Sequence, residues 1–517
     1  MEIQDSGRWE VDESYSGPSK KMNISSAWIE TEMEPTSVEE TTFVLEKNLT
    51  GSKFIAKFPE CWNKNKTMDS QAIKLLNEPF QVGIVKDLIS DKKLINGLVE
   101  EMQQLTWSRK QMDLYELYQT TDLANIQSNY LAKFYEFLNT SVLEWMQQLT
   151  NLKFKKVSVS CSMYNCGDYL LTHDDLLSDR LIAFVYYTSP WEGKQSWTDD
   201  MGGALELFAT DTQHQPTFPV AHKINPANNQ FVFFKVEKKS YHQVQEVLTK
   251  DYPRLTINGW FHGFSDNKDY DLDAIKVKNP NLPMFKSPST QSVKLEEFVR
   301  KVYLKNSVKL SIQKQVEENS EAALEGFLLA DFHQKLSEEL VSGGLKWLRK
   351  GPTNQQNYEI LKTEKLKESS AIKSLLALIS APEMFKLLFE YTELDLYGKG
   401  AGKPKYSVEI QRWNGGCYTL LGDPSTFNNS TLDLILYFND NENIGVTTYL
   451  TPEGDDEKDE NMSEDEDDSV LLTVYPLSNV LNVVYRSEGT AKFTKYCPKS
   501  AAMKTNYNYV LVASFKE

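Results

Sequence analysis

Val157-Ser158-Val159-Ser160-Cys161-Ser162-Met163-Tyr164 alternates apolar with small or polar residues, the period of a strand with one face on a core. Downstream, Arg180 to Tyr187, Ala204 to Phe208, Phe231 to Val236 and Leu255 to Phe261 read as further short strands, with Gly, Pro and Asn between them. Many short strands punctuated in this way indicate a sandwich or barrel. Upstream the period changes. From Asp91 to Trp107, residues Leu94, Ile95, Leu98, Met102 and Leu105 keep helical spacing. From Asn125 to Leu149, so do Ile126, Leu131, Phe134, Phe137, Leu138, Val142, Trp145 and Met146. These segments predict helices covering one outer face of the β-structure. Gln81 to Ile89 reads as a strand and turn, and Asp69 to Leu76 as the opening of a helix.

With 517 residues the chain is too long for one core. Residues 1–65 are rich in Glu, Ser, Thr, Asn and Lys without sustained period and are expected to be a disordered tail, apart from a short helix near Thr41 to Leu49. Residues 266–292, with Pro280, Pro283 and Pro288, read as a linker between a domain at 66–265 and one at 293–517. Helical signals return at Leu295 to Tyr303 and Asn319 to Leu345. Pro382 suits a helix start, with Glu383 to Glu390 continuing it, and strands resume at Tyr406.

A hydrophobic content of 40% is that of a soluble globular protein, and no apolar run is long enough to span a membrane. The polar, acidic start Met1-Glu2-Ile3-Gln4-Asp5 reads as neither a secretory signal nor a transit peptide. Five scattered cysteines fit a reducing compartment without a disulfide framework. The net charge of −17 repels phosphate backbones and favours basic partners, so direct nucleic-acid binding is not expected.

The second half echoes the first. Trp107-Ser108-Arg109-Lys110 resembles Trp347-Leu348-Arg349-Lys350, and Tyr164-Asn165-Cys166-Gly167-Asp168-Tyr169 resembles Trp413-Asn414-Gly415-Gly416-Cys417-Tyr418. Leu181 to Tyr187 resembles Leu432 to Phe438. An acidic insertion at 453–469 interrupts two predicted strands of the second copy and reads as a solvated loop or a docking arm for a basic partner.

Chemistry concentrates in the first copy. His173 and Asp175, two apart, are expected on one face of a strand, with Asp174 facing away. His242 would join them from another strand. Two imidazoles and a carboxylate on one face of a divalent ion leave its other positions open, which suits non-haem iron(II). Arg254, at the start of an apolar run, would pair bidentately with a cosubstrate carboxylate, since a buried guanidinium needs an anionic partner. Tyr187 and Tyr164 can reach the same carboxylate from neighbouring strands. Opposite His173 in the second copy falls Gly422, opposite Asp175 Pro424, opposite His242 Lys492, and opposite Arg254 roughly Asn508. Neither a hydrogen, a pyrrolidine ring nor an ammonium binds a metal ion, so the second copy should keep the fold and lack the site.

The segments Leu171 to Asp175, Tyr241-His242-Gln243-Val244 and Arg254 to Gly263, with Arg180, Tyr187 and Gly202-Gly203, resemble the 2-oxoglutarate-dependent prolyl 3-hydroxylases of eukaryotic ribosomes. The likeness covers roughly residues 70–517. It implies an α+β architecture of two tandem double-stranded β-helix (jelly-roll) domains, each with packing helices, the second a pseudo-domain without metal ligands. It implies Fe(II) at His173, Asp175 and His242, and 2-oxoglutarate at Tyr164, Tyr187 and Arg254, with ascorbate as reductant. The implied substrate is one proline of a basic small-subunit ribosomal protein, with an effect on translation accuracy or termination, and the implied location is cytoplasm and nucleus. The rival readings are an oxygenase acting on another protein side chain or on nucleic acid, and a non-catalytic double-barrel scaffold.

Overall fold

In a computed structural model the alternating stretch is a strand, β1 (Phe154–Tyr164), and its odd-numbered apolar residues face a layer of helices. The structure describes residues 3–4, 8–9, 42–177, 179–263, 284–397, 403–422, 427–441, 443–451, 470–502 and 507–517. They fall into two units, the first taking in residues 10–274 and the second most of 275–517.

Seven more strands complete the heart of the first unit: β2 (Tyr169–His173), β3 (Arg180–Tyr187), β4 (Leu205–Thr210), β5 (Pro216–Ile224), β6 (Phe231–Lys235), β7 (His242–Val244) and β8 (Arg254–Gly263). All pairings among them are antiparallel, in the orders β1-β8-β3-β6 and β5-β4-β7-β2. Tyr115–Gln119 pairs with both β1 and β2 and joins the two groups. Val82–Val85 and Ile73–Leu76 extend the first group beyond β6.

Strand alternation then separates two cores. Val157, Val159, Cys161, Met163, Ile182, Phe184, Phe233, Leu255 and Ile257 pack under helices α1 (Ser52–Asn63), α2 (Lys93–Gln104), α3 (Tyr130–Phe137) and α4 (Leu143–Thr150). The opposite face sends Ala183, Tyr187, Val232 and Phe234 towards Leu205, Leu207 and Ile224. In α1, Phe54, Phe58, Cys61 and Trp62 are buried, and Phe58 and Trp62 lie 6.2 and 5.8 Å from the Phe233 ring. Each such fully buried side chain contributes about 1.5–3 kcal/mol.

The second unit repeats the strand order. Its strands are β9 (Lys405–Trp413), β10 (Tyr418–Thr419), β11 (Thr431–Tyr437), β12 (Thr447–Leu450), β13 (Val470–Val474), β14 (Val480–Arg486), β15 (Ala491–Thr494) and β16 (Asn508–Lys516). β10 pairs with the strand Gln356–Leu361, and the others form β9-β16-β11-β14 and β13-β12-β15. Leu432, Leu434, Leu436, Leu511 and Phe515 pack with buried residues of helices α5 (Ala371–Ser380) and α6 (Pro382–Thr392). The echoed Trp-x-Arg-Lys motifs open matching hairpins, Ser108–Gln111 with Tyr115–Gln119 and Trp347–Lys350 with Gln356–Leu361.

Several expectations change. The tail ends earlier than residue 65, because α1 has an apolar face that the first core covers. Residues 73–76 are a strand, not a helix, since pairing with Val82–Val85 outweighs local propensity. The helix expected from Asn125 starts at Tyr130 and runs through a wide turn at Leu138–Val142 to Thr150. The long helix expected from Asn319 to Leu345 is instead a helix over Asn306–Asn319, a strand at Glu321–Glu325 and a helix over Ala330–Val341. Within the expected linker, Lys286 bridges to Tyr406; residues 264–283 lie outside the described residues, as do Pro424 and the acidic insertion.

Candidate active site

His173 closes β2 and His242 opens β7, and the two residues are directly paired across the strands. Paired positions on one sheet face bring their rings to 4.2 Å between centroids. Asp175 arrives by another route than the expected strand alternation. The strand ends at His173, and Asp175 sits in the following turn with φ +60°. That left-handed step returns its carboxylate to the histidines, with Oδ1 3.7 Å from His173 Nε2 and Oδ2 3.4 Å from His242 Nε2. Asp174 faces away and accepts the Leu176 N–H (3.2 Å). The Ser240 hydroxyl donates to the Asp174 carbonyl (3.0 Å) and ties the two loops together.

Each imidazole is oriented by the backbone. His173 Nδ1 lies 2.8 Å from the Leu171 carbonyl and His242 Nδ1 2.8 Å from the Ser240 carbonyl. A carbonyl only accepts, so Nδ1 carries the proton and Nε2 keeps its lone pair, the tautomer a metal ligand needs. One ligand atom from each of His173, Asp175 and His242 lies within 4.8 Å of the other two, and among the described residues no other group of this kind occurs. Burial pushes the Asp175 carboxyl up, but whenever the imidazoles are protonated the hydrogen bond from His242 and the charges of His173, His242 and Arg180 outweigh it and hold the group below the usual carboxylate range.

Arg254 opens β8 directly opposite Tyr164 and is 1% exposed. Its Nε donates to the Gly203 carbonyl (2.9 Å), and one Nη lies 3.4 Å from the Tyr187 hydroxyl. The Tyr164 and Tyr187 rings stand 4.9 and 5.0 Å from its guanidinium carbon. Burial pushes the Tyr164 phenol up to about 12 despite the adjacent Arg254 charge, so it stays protonated near neutrality. No carboxylate among the described residues pairs with Arg254. A buried guanidinium in that state is matched to an anion supplied from outside, and a dicarboxylate cosubstrate fits it.

Three further features surround the site. Gly202 and Gly203 have φ near +70°, and a Cβ on Gly203 would meet Arg254 Cδ at 3.2 Å and Trp197 at 3.0 Å. The doublet in the sequence was the available signal. Arg180 stacks over Trp260 at 3.7 Å, with Nη1 3.9 Å from Asp175 Oδ1. Behind the histidines, on the opposite face of the sheet, a polar row crosses four strands. Thr172 donates to Gln243 (3.0 Å), Gln243 to Glu206 (2.5 Å), and Glu206 pairs with Lys223 (2.9 Å). His262 makes ordinary hydrogen bonds: Nε2 lies 2.7 Å from the Ser158 hydroxyl and Nδ1 3.0 Å from Asp179.

The second unit fills the matching place with a buried ion cluster. Lys492 lies 3.0 Å from Asp433, which also accepts from Tyr449 (3.1 Å) and Ser514 (2.7 Å) and has Arg486 at 3.9 Å. Asn508 donates to the Ile444 carbonyl at 2.7 Å.

Residues 159–262 match the family described as the 2OG-Fe(II) oxygenase superfamily, and residues 290–516 match the oxoglutarate and iron-dependent oxygenase degradation C-terminal family. The prolyl 3-hydroxylase sudestada1 of Drosophila melanogaster is 44% identical over 472 residues, covering 88% of this chain and 87% of that protein. The prolyl 3-hydroxylase OGFOD1 of Xenopus laevis is 30% identical over 471 residues, covering 84% and 87%.

Proposed function

Since the chain belongs to the prolyl 3-hydroxylases of the 2-oxoglutarate- and iron(II)-dependent oxygenase superfamily, we propose that His173, Asp175 and His242 hold its iron(II) and that Arg254, Tyr187 and Tyr164 hold 2-oxoglutarate. The enzyme is a 2-oxoglutarate-dependent hydroxylase of prolyl residues in a protein. The convergence of three ligand atoms within 4.8 Å, two of them imidazole nitrogens with backbone-set tautomers, carries the assignment.

When bound, iron and cosubstrate supply an O2-dependent oxidation in which one oxygen atom enters a prolyl C–H bond and the other enters succinate as CO2 leaves. The chain does the positioning. Arg254 neutralises and orients the far carboxylate of the cosubstrate, and Tyr187 adds a hydroxyl donor beside it. The backbone carbonyls of Leu171 and Ser240 hold both Nδ1 protons so that neither imidazole turns away. Leu205, Leu207, Ile224, Val232 and Phe234 line the core beside the site and keep water from it. Purified protein given iron(II), 2-oxoglutarate and a proline-containing peptide should release succinate and add one oxygen to the peptide. Succinate release without peptide oxidation would remove the hydroxylase reading.

The substrate we propose is one proline of a small-subunit ribosomal protein, with an effect on the accuracy or termination of translation and ascorbate as reductant. The family resemblance and the charge complementarity between a −17 chain and a basic protein support it. Such a substrate places the enzyme in cytoplasm and nucleus. Intact-mass measurement of ribosomal proteins from cells lacking the chain tests this, the expected change being the loss of one oxygen, about 16 Da, from a small-subunit protein. We also read each unit as a double-stranded β-helix with packing helices, the second a pseudo-domain serving support or recognition. The recurrence of β1-β8-β3-β6 as β9-β16-β11-β14, and of β5-β4-β7 as β13-β12-β15, supports that reading.

A further inference from the structure

We propose that the free edge of β13 is a docking site for an extended basic segment of another polypeptide, which adds beside β13 as a fourth strand of the β13-β12-β15 sheet. β13 pairs with β12 on one side and, among the described residues, with nothing on the other. An open edge presents unpaired backbone N–H and C=O groups to any strand that can reach them, and proteins normally blunt such edges with proline, lysine or irregular pairing.

The first unit shows that blunting at the same place in the strand order. There β5 is the edge, next to β4. It contains Pro216 and Pro219, which have no N–H to donate, it exposes Lys223, and its pairing with β4 shifts register twice. The strand β13 reads Val470-Leu471-Leu472-Thr473-Val474, without proline or charge, and its pairing with β12 shifts register once. Its inward residues Leu472 and Val474 join the core. Val470 is 41% and Leu471 56% exposed, and just beyond the strand Tyr475 is 55% and Leu477 48% exposed. Four of the twelve exposed large apolar side chains among the described residues thus lie in one eight-residue stretch, which marks it as a contact surface and not scattered surface hydrophobicity.

Charge selects the occupant. Between Asp455 and Asp468 the sequence carries ten Asp or Glu and one Lys, ending two positions before β13. A second copy pairing edge to edge would bring two such runs together, each on a chain of charge −17. A basic strand meets attraction instead. Backbone pairing supplies affinity without demanding one sequence, and alternate apolar residues can pack on Leu471 and Tyr475.

The test uses the full chain and a fluorescent ten-residue peptide alternating Val and Lys. Expected are binding that weakens with salt and slowed amide exchange at residues 470–474. A Val/Glu peptide, and a Val/Lys peptide N-methylated at alternate residues, should bind neither way. The double variant Val470→Ser/Leu471→Ser should weaken binding roughly tenfold while leaving β16 amide protection and succinate release unchanged, which separates lost docking from lost folding. His173→Ala should bind the peptide normally, so the outcome is independent of the oxygenase chemistry. Equal binding of the Val/Glu peptide, absence of protection at 470–474, or a wild-type dimer that Leu471→Ser dissociates would each overturn the proposal.

Discussion

Removing one imidazole or the carboxylate from His173, Asp175 and His242 leaves two ligands, too few to keep iron(II) against water. His173→Ala and Asp175→Ala are therefore expected to lose bound iron in metal analysis and to abolish succinate release. Arg254→Ala should keep iron but raise the KM for 2-oxoglutarate roughly a hundredfold, the scale of truncating one partner of a buried charge pair, as read in cosubstrate titrations. In the second unit the matching test is structural. Asp433→Ala leaves Lys492 and Arg486 without their buried carboxylate, at a cost of about 3–5 kcal/mol, with iron binding retained. Burial pushes the Asp433 carboxyl up, but Lys492 and Arg486 outweigh it and hold it below its ordinary value. Its stabilising effect is therefore complete above the unfolded-chain value of about 4 and is lost as pH falls through the lower folded value. His173, Asp175, His242 and Arg254 were legible because their chemistry is in their identity. The route by which Asp175 reaches the histidines was not, because it depends on a backbone angle of +60° after the strand has ended.

At the level of elements, the histidine strands are held in register from behind. Gln243, Glu206 and Lys223 occupy directly paired positions one residue away from His242, Leu207 and His222, and Thr172, next to His173, reaches Gln243 where the β2–β7 pairing shifts register. A slip of one residue would turn both histidines to the wrong face. Glu206 is 3% exposed, so Glu206→Ala should unsettle the row and weaken metal affinity roughly tenfold by titration, while Glu206→Gln, which still accepts from Gln243, should restore it. The alternating strands and the Lys93–Gln104 helix could be read from period alone. The helix Ser52–Asn63 also had a signal, apolar residues at 54, 58, 61 and 62, the i, i+4, i+7, i+8 stripe of a helix. Its surrounding Lys, Glu and Asn residues concealed it. The strand at Ile73–Leu76 had no such mark, since its conformation comes from the partner strand Val82–Val85.

Across the whole molecule, only the first unit brings His and carboxylate ligands together among the described residues. Iron with cosubstrate should therefore stabilise the first unit by about 2.7 kcal/mol at a hundredfold excess over Kd, so that one calorimetric transition moves to higher temperature and the other stays in place. A single transition that shifts as a whole would mean that the units unfold together. The sequence by itself determined that the chain is strand-rich, with its candidate metal-ligating residues in one half. Period, spacing and side-chain identity are local properties, and Gly422 or Lys492 cannot replace imidazoles in any fold. Only the tertiary structure decided how the ligands meet, what stands behind them and which edge is left open. Those depend on strand register and turn angles, which arise when distant segments pair and have no expression in any single stretch of the chain.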